Sequence, residues 1–202
     1  MRPQPKPRRA FPPAAVLLAL LVSSSAAGQD RAGKSAPVRT GIDVLEATGL
    51  GGLPEKPKRV GLLTNQSGVD SRGRRTIDVL AAMPGVKLTA IFSPEHGLAG
   101  KLDTTEITEE RDAATGVPVY SSYGGTDAKR RPPLELMKTL DAVLIDLQDV
   151  GARYYTYKTT VGHFLEVAAQ TGTKVIVLDR PNPIGGLVVQ GPVSDEGRES
   201  FI

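Results

Sequence analysis

The chain has 202 residues, enough for one domain of ordinary size that buries a real core. It contains no cysteine, which excludes disulfides, thiol catalysis, thiolate metal sites and lipid attachment to a cysteine. The formal charge of +3 comes from 25 basic against 22 acidic residues, and where those charges sit decides what the surplus means.

Arg2, Lys6, Arg8 and Arg9 precede the almost wholly apolar run Phe11–Val22, and Ser23-Ser24-Ser25-Ala26-Ala27 then supplies the small residues a signal peptidase needs. Residues 1–27 read as a secretory leader, because about a dozen apolar residues fall short of the roughly 20 that span a bilayer as a helix. The four basic residues of the leader account for the surplus: without them 21 basic residues face 22 acidic ones, near −1. Neither a nucleic-acid partner nor a stable membrane span after cleavage is therefore expected, and a periplasmic or secreted protein fits best. Residues 28–39, polar and small, read as a flexible lead-in, and 40–202 as the folded domain.

Gly41–Thr48 is a short helix candidate at the domain entrance. Short β-branched runs then alternate with helix-length amphipathic stretches. Arg59–Thr64, Lys87–Phe92, Val117–Tyr120, Ala142–Leu147 and Lys174–Leu178 predict strands. Thr76–Ala82, stopped by Met83-Pro84-Gly85, predicts a helix, as do Leu134–Leu140 after Pro132-Pro133 and Lys158–Gln170 before Thr171-Gly172. Val143-Leu144-Ile145 and Val175-Ile176-Val177-Leu178 are continuously apolar, as strands are when helices cover both faces of a parallel sheet. The fold class is α/β: a Rossmann-like, doubly wound, mostly parallel sheet with flanking helices. Lys101–Gly116, with Glu106, Glu109, Glu110 and Asp112, interrupts the rhythm and reads as a surface excursion or a short helix.

In an open parallel sheet the ligand lies beyond the carboxyl ends of the strands. The residues there are polar: Asn65-Gln66-Ser67-Gly68, Ser93-Pro94-Glu95-His96-Gly97, Tyr123-Gly124-Gly125, Gln148-Asp149-Val150-Gly151 and Asp179-Arg180-Pro181-Asn182-Pro183. Singly, each has a turn reading: Asn65 and Asp179 as loop caps, Gly97 and Gly151 at positive φ, Pro183 as a stiffener. Five such clusters on one edge point to a cleft. A nucleotide cofactor is not expected, because Thr64-Asn65-Gln66-Ser67-Gly68 has neither the dinucleotide glycine spacing nor the P-loop lysine. Nor is a metal, since His96 and His163 stand far apart. No G-x-S-x-G elbow supports a serine nucleophile.

Carboxylate chemistry remains. Glu95 sits on a tight turn at a strand end, where partial burial would suit a general acid; the competing reading is an exposed loop carboxylate. Asp146 shares a face with Leu144 and is expected to bond backbone amides, whereas Asp149 lies beyond the strand and reaches solvent more easily. Arg153, Tyr154, Tyr155 and Tyr157 form an aromatic and cationic patch: tyrosine faces stack on sugar rings and arginine grips carboxylates, so the patch suits an acidic sugar. At least one of these tyrosines is expected to pack a helix instead.

Phe92-Ser93-Pro94-Glu95-His96-Gly97, the stretch Asp146-Leu147-Gln148-Asp149-Val150-Gly151-Ala152-Arg153-Tyr154-Tyr155-Thr156-Tyr157 and Leu178-Asp179-Arg180-Pro181-Asn182-Pro183-Ile184-Gly185-Gly186 closely resemble the NamZ exo-β-N-acetylmuramidases. Gly41-Ile42-Asp43 and Leu63-Thr64-Asn65-Gln66-Ser67-Gly68 fit the same family, and the resemblance covers about Gly41–Ile202. It implies a glycoside hydrolase that needs no cofactor and releases terminal, non-reducing β-1,4-linked N-acetylmuramic acid from peptidoglycan fragments, with muropeptides or amino sugars as ligands. It makes Glu95 the candidate catalytic glutamate, with Asp149 as the second catalytic candidate. Asn65, Gln66, His96, Gln148, Arg153, Tyr154, Tyr157, Asp179, Arg180 and Asn182 become candidate substrate-binding residues, with Arg153 or Arg180 holding the lactyl carboxylate. Family members are roughly twice as long, so the chain reads as a truncated member whose second domain is missing. The alternative is a catalytically weak or inactive muropeptide-binding fragment.

Overall fold

The structure, a computed structural model, describes residues 38–50, 58–104, 110–198 and 200–201. The leader 1–27, most of the lead-in 28–39, and Glu106 and Glu109 of the acidic excursion lie outside these residues. In chain order the elements are α1 (Gly41–Thr48), β1 (Lys58–Thr64), α2 (Thr76–Ala82), β2 (Val86–Ser93), β3 (Glu110–Arg111) and β4 (Pro118–Ser121). Then follow α3 (Asp127–Arg130), α4 (Leu134–Met137), β5 (Ala142–Asp146), α5 (Tyr157–Thr171) and β6 (Lys174–Val177). Among the described residues no helix is long and apolar enough to cross a membrane.

The sheet has the order β3-β4-β2-β1-β5-β6, and every pair is parallel except β3 with β4. Strand alternation explains why the apolar runs bury both faces. Val60, Leu62, Ala142 and Leu144 meet Ile42 and Leu45 of α1 and Ile77, Val79 and Leu80 of α2 on one face. Leu63, Val143 and Ile145 meet Met137, Leu140, Phe164, Val167 and Ala168 on the other. The α/β fold with helices on both faces is thus the one the pattern predicts.

One irregularity matters for the site. Val60 pairs with Leu88 and Gly61 with Ala90, so Thr89 is an extra residue in β2. A one-residue slip exchanges the faces of a strand, and the slip here puts Leu88 and Ile91 on the α1/α2 face and Ala90 and Phe92 on the α5 face.

Two expectations are corrected. The described part of the acidic excursion is not all surface: Glu110–Arg111 adds an antiparallel edge strand, and Asp112 is buried, accepting from Thr115 at 2.8 Å and from Arg75 at 2.7 Å. The helix expected over Leu134–Leu140 stops at Met137, where the backbone tightens to bonds three residues apart, from the Thr139 N–H to the Leu136 carbonyl and from the Leu140 N–H to the Met137 carbonyl, both at 3.0 Å; Leu140 is still buried. The four-residue α3 has no buried residue, hence no apolar period to read.

Connections from β1 run to β2 and β4 on one side and, after the chain returns, to β5 and β6 on the other. The order therefore reverses between β1 and β5, and the carboxyl ends of these two strands define the switch point where an open α/β sheet binds its ligand.

Candidate active site

At the switch point the side chain of Asn65, which is buried, laces the strand tips together. Its Oδ1 accepts from the Ser67 backbone N–H at 2.9 Å and from the Ser67 hydroxyl at 2.6 Å, and its Nδ2 donates to the Tyr157 hydroxyl at 2.8 Å. Ser67 Oγ in turn accepts from the Gln148 backbone N–H at 3.0 Å. Gln148 Nε2 donates to the carbonyls of Asp149 and Pro181, at 2.9 and 3.0 Å, and so ties the β5 tip to the β6 tip. Gln66 is exposed, and its amide lies so close to Gly100 that a Cβ there would stand 2.3 Å from it.

Glu95 sits on the turn after β2, closed by a Gly97 N–H to Pro94 carbonyl bond of 3.0 Å. His96 holds a left-handed φ of 70°, rare for a residue with a Cβ, and its Nδ1 lies 2.8 Å from the Leu102 carbonyl. That geometry faces Glu95 toward the loop before α5. Its carboxylate is half-buried, and Oε2 accepts from the Thr156 hydroxyl at 2.7 Å. A cleft of about 180 Å³ is lined by Glu95, His96, Tyr154, Tyr155, Thr156 and Tyr157. The three tyrosines meet edge to face, with centroids 5.8 Å apart for Tyr154 and Tyr155 and 5.4 Å for Tyr155 and Tyr157. Tyr154 is 71% exposed and offers its ring to solvent, whereas Tyr157 is the buried one, as expected of at least one member of the patch.

Two phenols report the field in the cleft. The Tyr123 phenol is pushed up by its hydrogen bond to Glu95 and then by burial. The Tyr157 phenol is pushed up first by burial, then by Tyr155, with the Glu95 and Asp149 charges adding to the rise and the Asn65 bond opposing it.

A neighbouring cavity of about 330 Å³ shares Tyr157 as a wall and is lined by Asp149, Gly151, Asp179, Arg180 and Asn182 together with apolar residues of β5, β6 and α5. Asp149 is thus placed beside the Glu95 cleft and does not line it. Its Oδ1 accepts from the Gly151 N–H at 2.8 Å, and its Oδ2 is buried without a partner among the described residues. Gly151 has φ 77° and faces the Asn182 amide, 2.3 Å from where a Cβ would be, so only glycine fits the turn. Asn182 Oδ1 accepts from the Ile184 N–H at 3.1 Å.

Arg180 is not free to meet a ligand. Its guanidinium binds the Asp146 carboxylate at 2.5 and 3.0 Å and the Val69 carbonyl at 2.7 Å, with the two side chains 8% and 0% exposed. Asp146 also accepts from the Thr76 hydroxyl. Its partners are therefore side chains and not the backbone amides expected of it, because its face of β5 looks onto the start of α2, where a threonine stands. Arg153, by contrast, is exposed, and its guanidinium donates to the Ser194 hydroxyl at 2.9 Å. The Asp179 side chain is exposed, while its carbonyl accepts from the Gly41 N–H at 2.8 Å and docks α1 on the sheet edge. Away from the cleft, Asp43, Glu46 and Asp70 converge, but Arg74 already pairs with Glu46 and Asp70.

Glu95, His96, Tyr154 and Tyr157 are thus gathered in one cleft with Asn65 behind it, and Asp149, Asp179, Arg180 and Asn182 in the next. Thr156, Ser67 and Tyr123 complete the arrangement. Ser67 and Tyr123 stand in the polar clusters that the sequence places on this edge but not among its candidate site residues, and Thr156 is passed over because a threonine before a helix has a sufficient local explanation as a cap.

Fold and site together define a Rossmann-like α/β domain with an acidic, tyrosine-walled cleft beyond the carboxyl ends of its strands. Residues 60–202 match the family described as "Exo-beta-N-acetylmuramidase NamZ, N-terminal", and the chain belongs to that family. It is 40% identical to the peptidoglycan beta-N-acetylmuramidase NamZ of Bacillus subtilis (strain 168), in a match that covers 89% of this chain and 42% of the relative. Two crystal structures of DUF1343 family proteins from Bacteroides fragilis NCTC 9343 share the fold. One, 44% identical with a TM-score of 0.70, is matched over 81% of this chain and 40% of its own; the other, 31% identical with a TM-score of 0.63, over 82% and 41%. The chain spans about two fifths of the length of each of these relatives.

Proposed function

We propose that this domain carries the acid of an exo-acting glycoside hydrolase that releases terminal, non-reducing β-1,4-linked N-acetylmuramic acid from peptidoglycan fragments. The observation that carries this reading is a half-buried carboxylate, Glu95, held by a hydroxyl in the wall of a tyrosine-lined cleft. The similarity to a peptidoglycan beta-N-acetylmuramidase supports the choice of substrate. Glu95 gives its proton to the glycosidic oxygen as the bond to the anomeric carbon breaks, the bonding electrons leave with that oxygen, and a water adds to the anomeric carbon and releases its proton to solvent, from which Glu95 is reprotonated. The sugar passes through a cationic state. Burial is the main cause of the rise of the Tyr157 phenol and the Glu95 and Asp149 carboxylates add to it; the same two carboxylates favour a positive charge beside Tyr157, and this is the role we assign to Asp149. Tyr154 and Tyr155 offer faces to the sugar ring, and Arg153, exposed beside them, takes the lactyl carboxylate. Arg180 holds the cleft together through Asp146. Export by the leader 1–27 would bring the domain to its polymer.

The test is release of N-acetylmuramic acid from a muramyl disaccharide, followed by chromatography for the wild type and Glu95→Gln. A lost general acid lowers kcat by about 10²–10⁴-fold. Equal turnover by both proteins removes Glu95 from the mechanism. Calorimetric binding by the wild type with no product would shift the reading to a muropeptide-binding domain.

A further inference from the structure

We propose that Thr156 is a positioning residue for Glu95: its hydroxyl fixes Oε2 as an acceptor, so that the acid carries its proton on the other oxygen, Oε1. The proposal rests on the reading of Glu95 as the acid.

Thr156 stands at the N-cap of α5, where a threonine hydroxyl ordinarily accepts from an N–H of the first turn. Here it makes no cap bond. The Thr156 carbonyl receives the N–H groups of Thr159 and Thr160, both at 3.1 Å, while the hydroxyl donates to a carboxylate 61 residues away. The helix therefore starts without its usual side-chain cap, and the hydroxyl is spent on Glu95. With the Thr156 hydroxyl as donor, the better acceptor of a protonated Glu95 is its carbonyl oxygen, so the bond favours the form with that oxygen at Oε2 and the hydrogen on Oε1. Threonine is also stiff about χ1, which fixes the direction of the bond.

The base of this device is packed into the core. Thr160 and Phe164, on the first two turns of α5, are both fully buried. The Thr159 hydroxyl donates to the Phe201 carbonyl at 2.7 Å. The Phe201 ring stacks on His163 at 6.0 Å, lies 4.2 Å beneath the Arg130 guanidinium and reaches Tyr123 at 6.4 Å. Phe201 thus joins the first turns of α5, which carry Thr156, to the loop after β4, which carries Tyr123. Both groups that approach Glu95 are set from one clamp.

The experiment compares Thr156→Val, which removes the hydroxyl at nearly constant shape, with Thr156→Ser, which keeps it. Both are made in the full chain and assayed on the muramyl disaccharide beside Glu95→Gln. Thr156→Val is expected to lower kcat by roughly 10- to 100-fold, in line with the cost of misplacing a reacting group. KM should stay within about twofold; Thr156→Ser should restore most of kcat. A Thr156→Val enzyme with wild-type kcat, or valine and serine variants equally impaired, overturns the proposal. If Glu95→Gln is inactive in the same experiment, the acid reading survives that result; normal turnover by Glu95→Gln removes both. A readout free of turnover is the Thr156 hydroxyl proton in NMR spectra of the labelled protein. It should exchange slowly in the wild type and rapidly in Glu95→Ala, and rapid exchange in both contradicts the bond.

Discussion

Replacing Arg180 with methionine would strand a carboxylate inside the sheet. Asp146 is fully buried, its two strong partners are the Arg180 guanidinium and the Thr76 hydroxyl, and only the second survives the change. Removing one member of a buried ion pair costs about 3–5 kcal/mol, because the remaining charge keeps its desolvation penalty and loses its compensation. The Val69 carbonyl loses a donor as well, while the Thr76 bond softens the loss, so about 3 kcal/mol is the working figure. For a domain of this size each kcal/mol is worth about 2–4 °C, giving a fall of roughly 6–12 °C in melting temperature. Urea unfolding followed by circular dichroism measures the free energy directly. The double variant Asp146→Leu with Arg180→Met removes both charges and should recover most of the loss, since apolar replacements of buried pairs are commonly close to neutral. A single variant that loses under about 1 kcal/mol, or a double variant no better than the single, would show that the pair does not hold the strand tips together.

Two further outcomes bear on the cleft. In Glu95→Gln the Tyr123 phenol no longer ionises beside a carboxylate, so its pKa should fall toward the ordinary value of 10.0; ring-carbon NMR with Tyr123→Phe as the assignment control reads the change, and an unmoved titration means the two groups are not neighbours. Arg153→Gln should raise KM about 5- to 10-fold for substrates with a lactyl carboxylate, the discounted value of an exposed charge-assisted hydrogen bond, and leave an N-acetylglucosamine analogue unaffected. Equal effects on both sugars would take Arg153 out of carboxylate recognition.

The elements with long apolar patterns were legible in the sequence. Gly41–Thr48 and Thr76–Ala82 begin and end where the pattern places them, and each of the five anticipated strands forms within a residue or two of its anticipated ends. What escaped has a common cause. A two-residue strand such as Glu110–Arg111 or a one-turn helix such as Asp127–Arg130 has no period, and its existence depends on partners brought by the rest of the chain. The site divides the same way. That five polar clusters share one edge follows from topology alone, because parallel strands all end on the same side. Which side chain meets which does not: Arg180 looks like a ligand-facing cation until the chain returns it to Asp146, 34 residues earlier. Thr156 looks like a cap until Glu95 arrives from 61 residues away.

The core decides how closely those two residues approach. Phe92 lies three residues before Glu95, and its ring meets Phe164 of α5 at 5.1 Å in an edge-to-face contact and Tyr120 of β4 at 5.9 Å. Phe164 lies two turns along α5 from Thr156, so the Phe92–Phe164 contact sets the spacing between the end of β2 and the start of α5. Phe92 faces α5 only because Thr89 is an extra residue in β2; in an unbroken pleat Ile91 would take that face, and Phe92 would turn toward α1 and α2. The same inversion would turn the Pro94-Glu95-His96 turn away from Tyr155 and Tyr157. A bulge two turns of the pleat from the cleft is therefore part of the site: it selects the face on which the carboxylate and its threonine can meet at 2.7 Å.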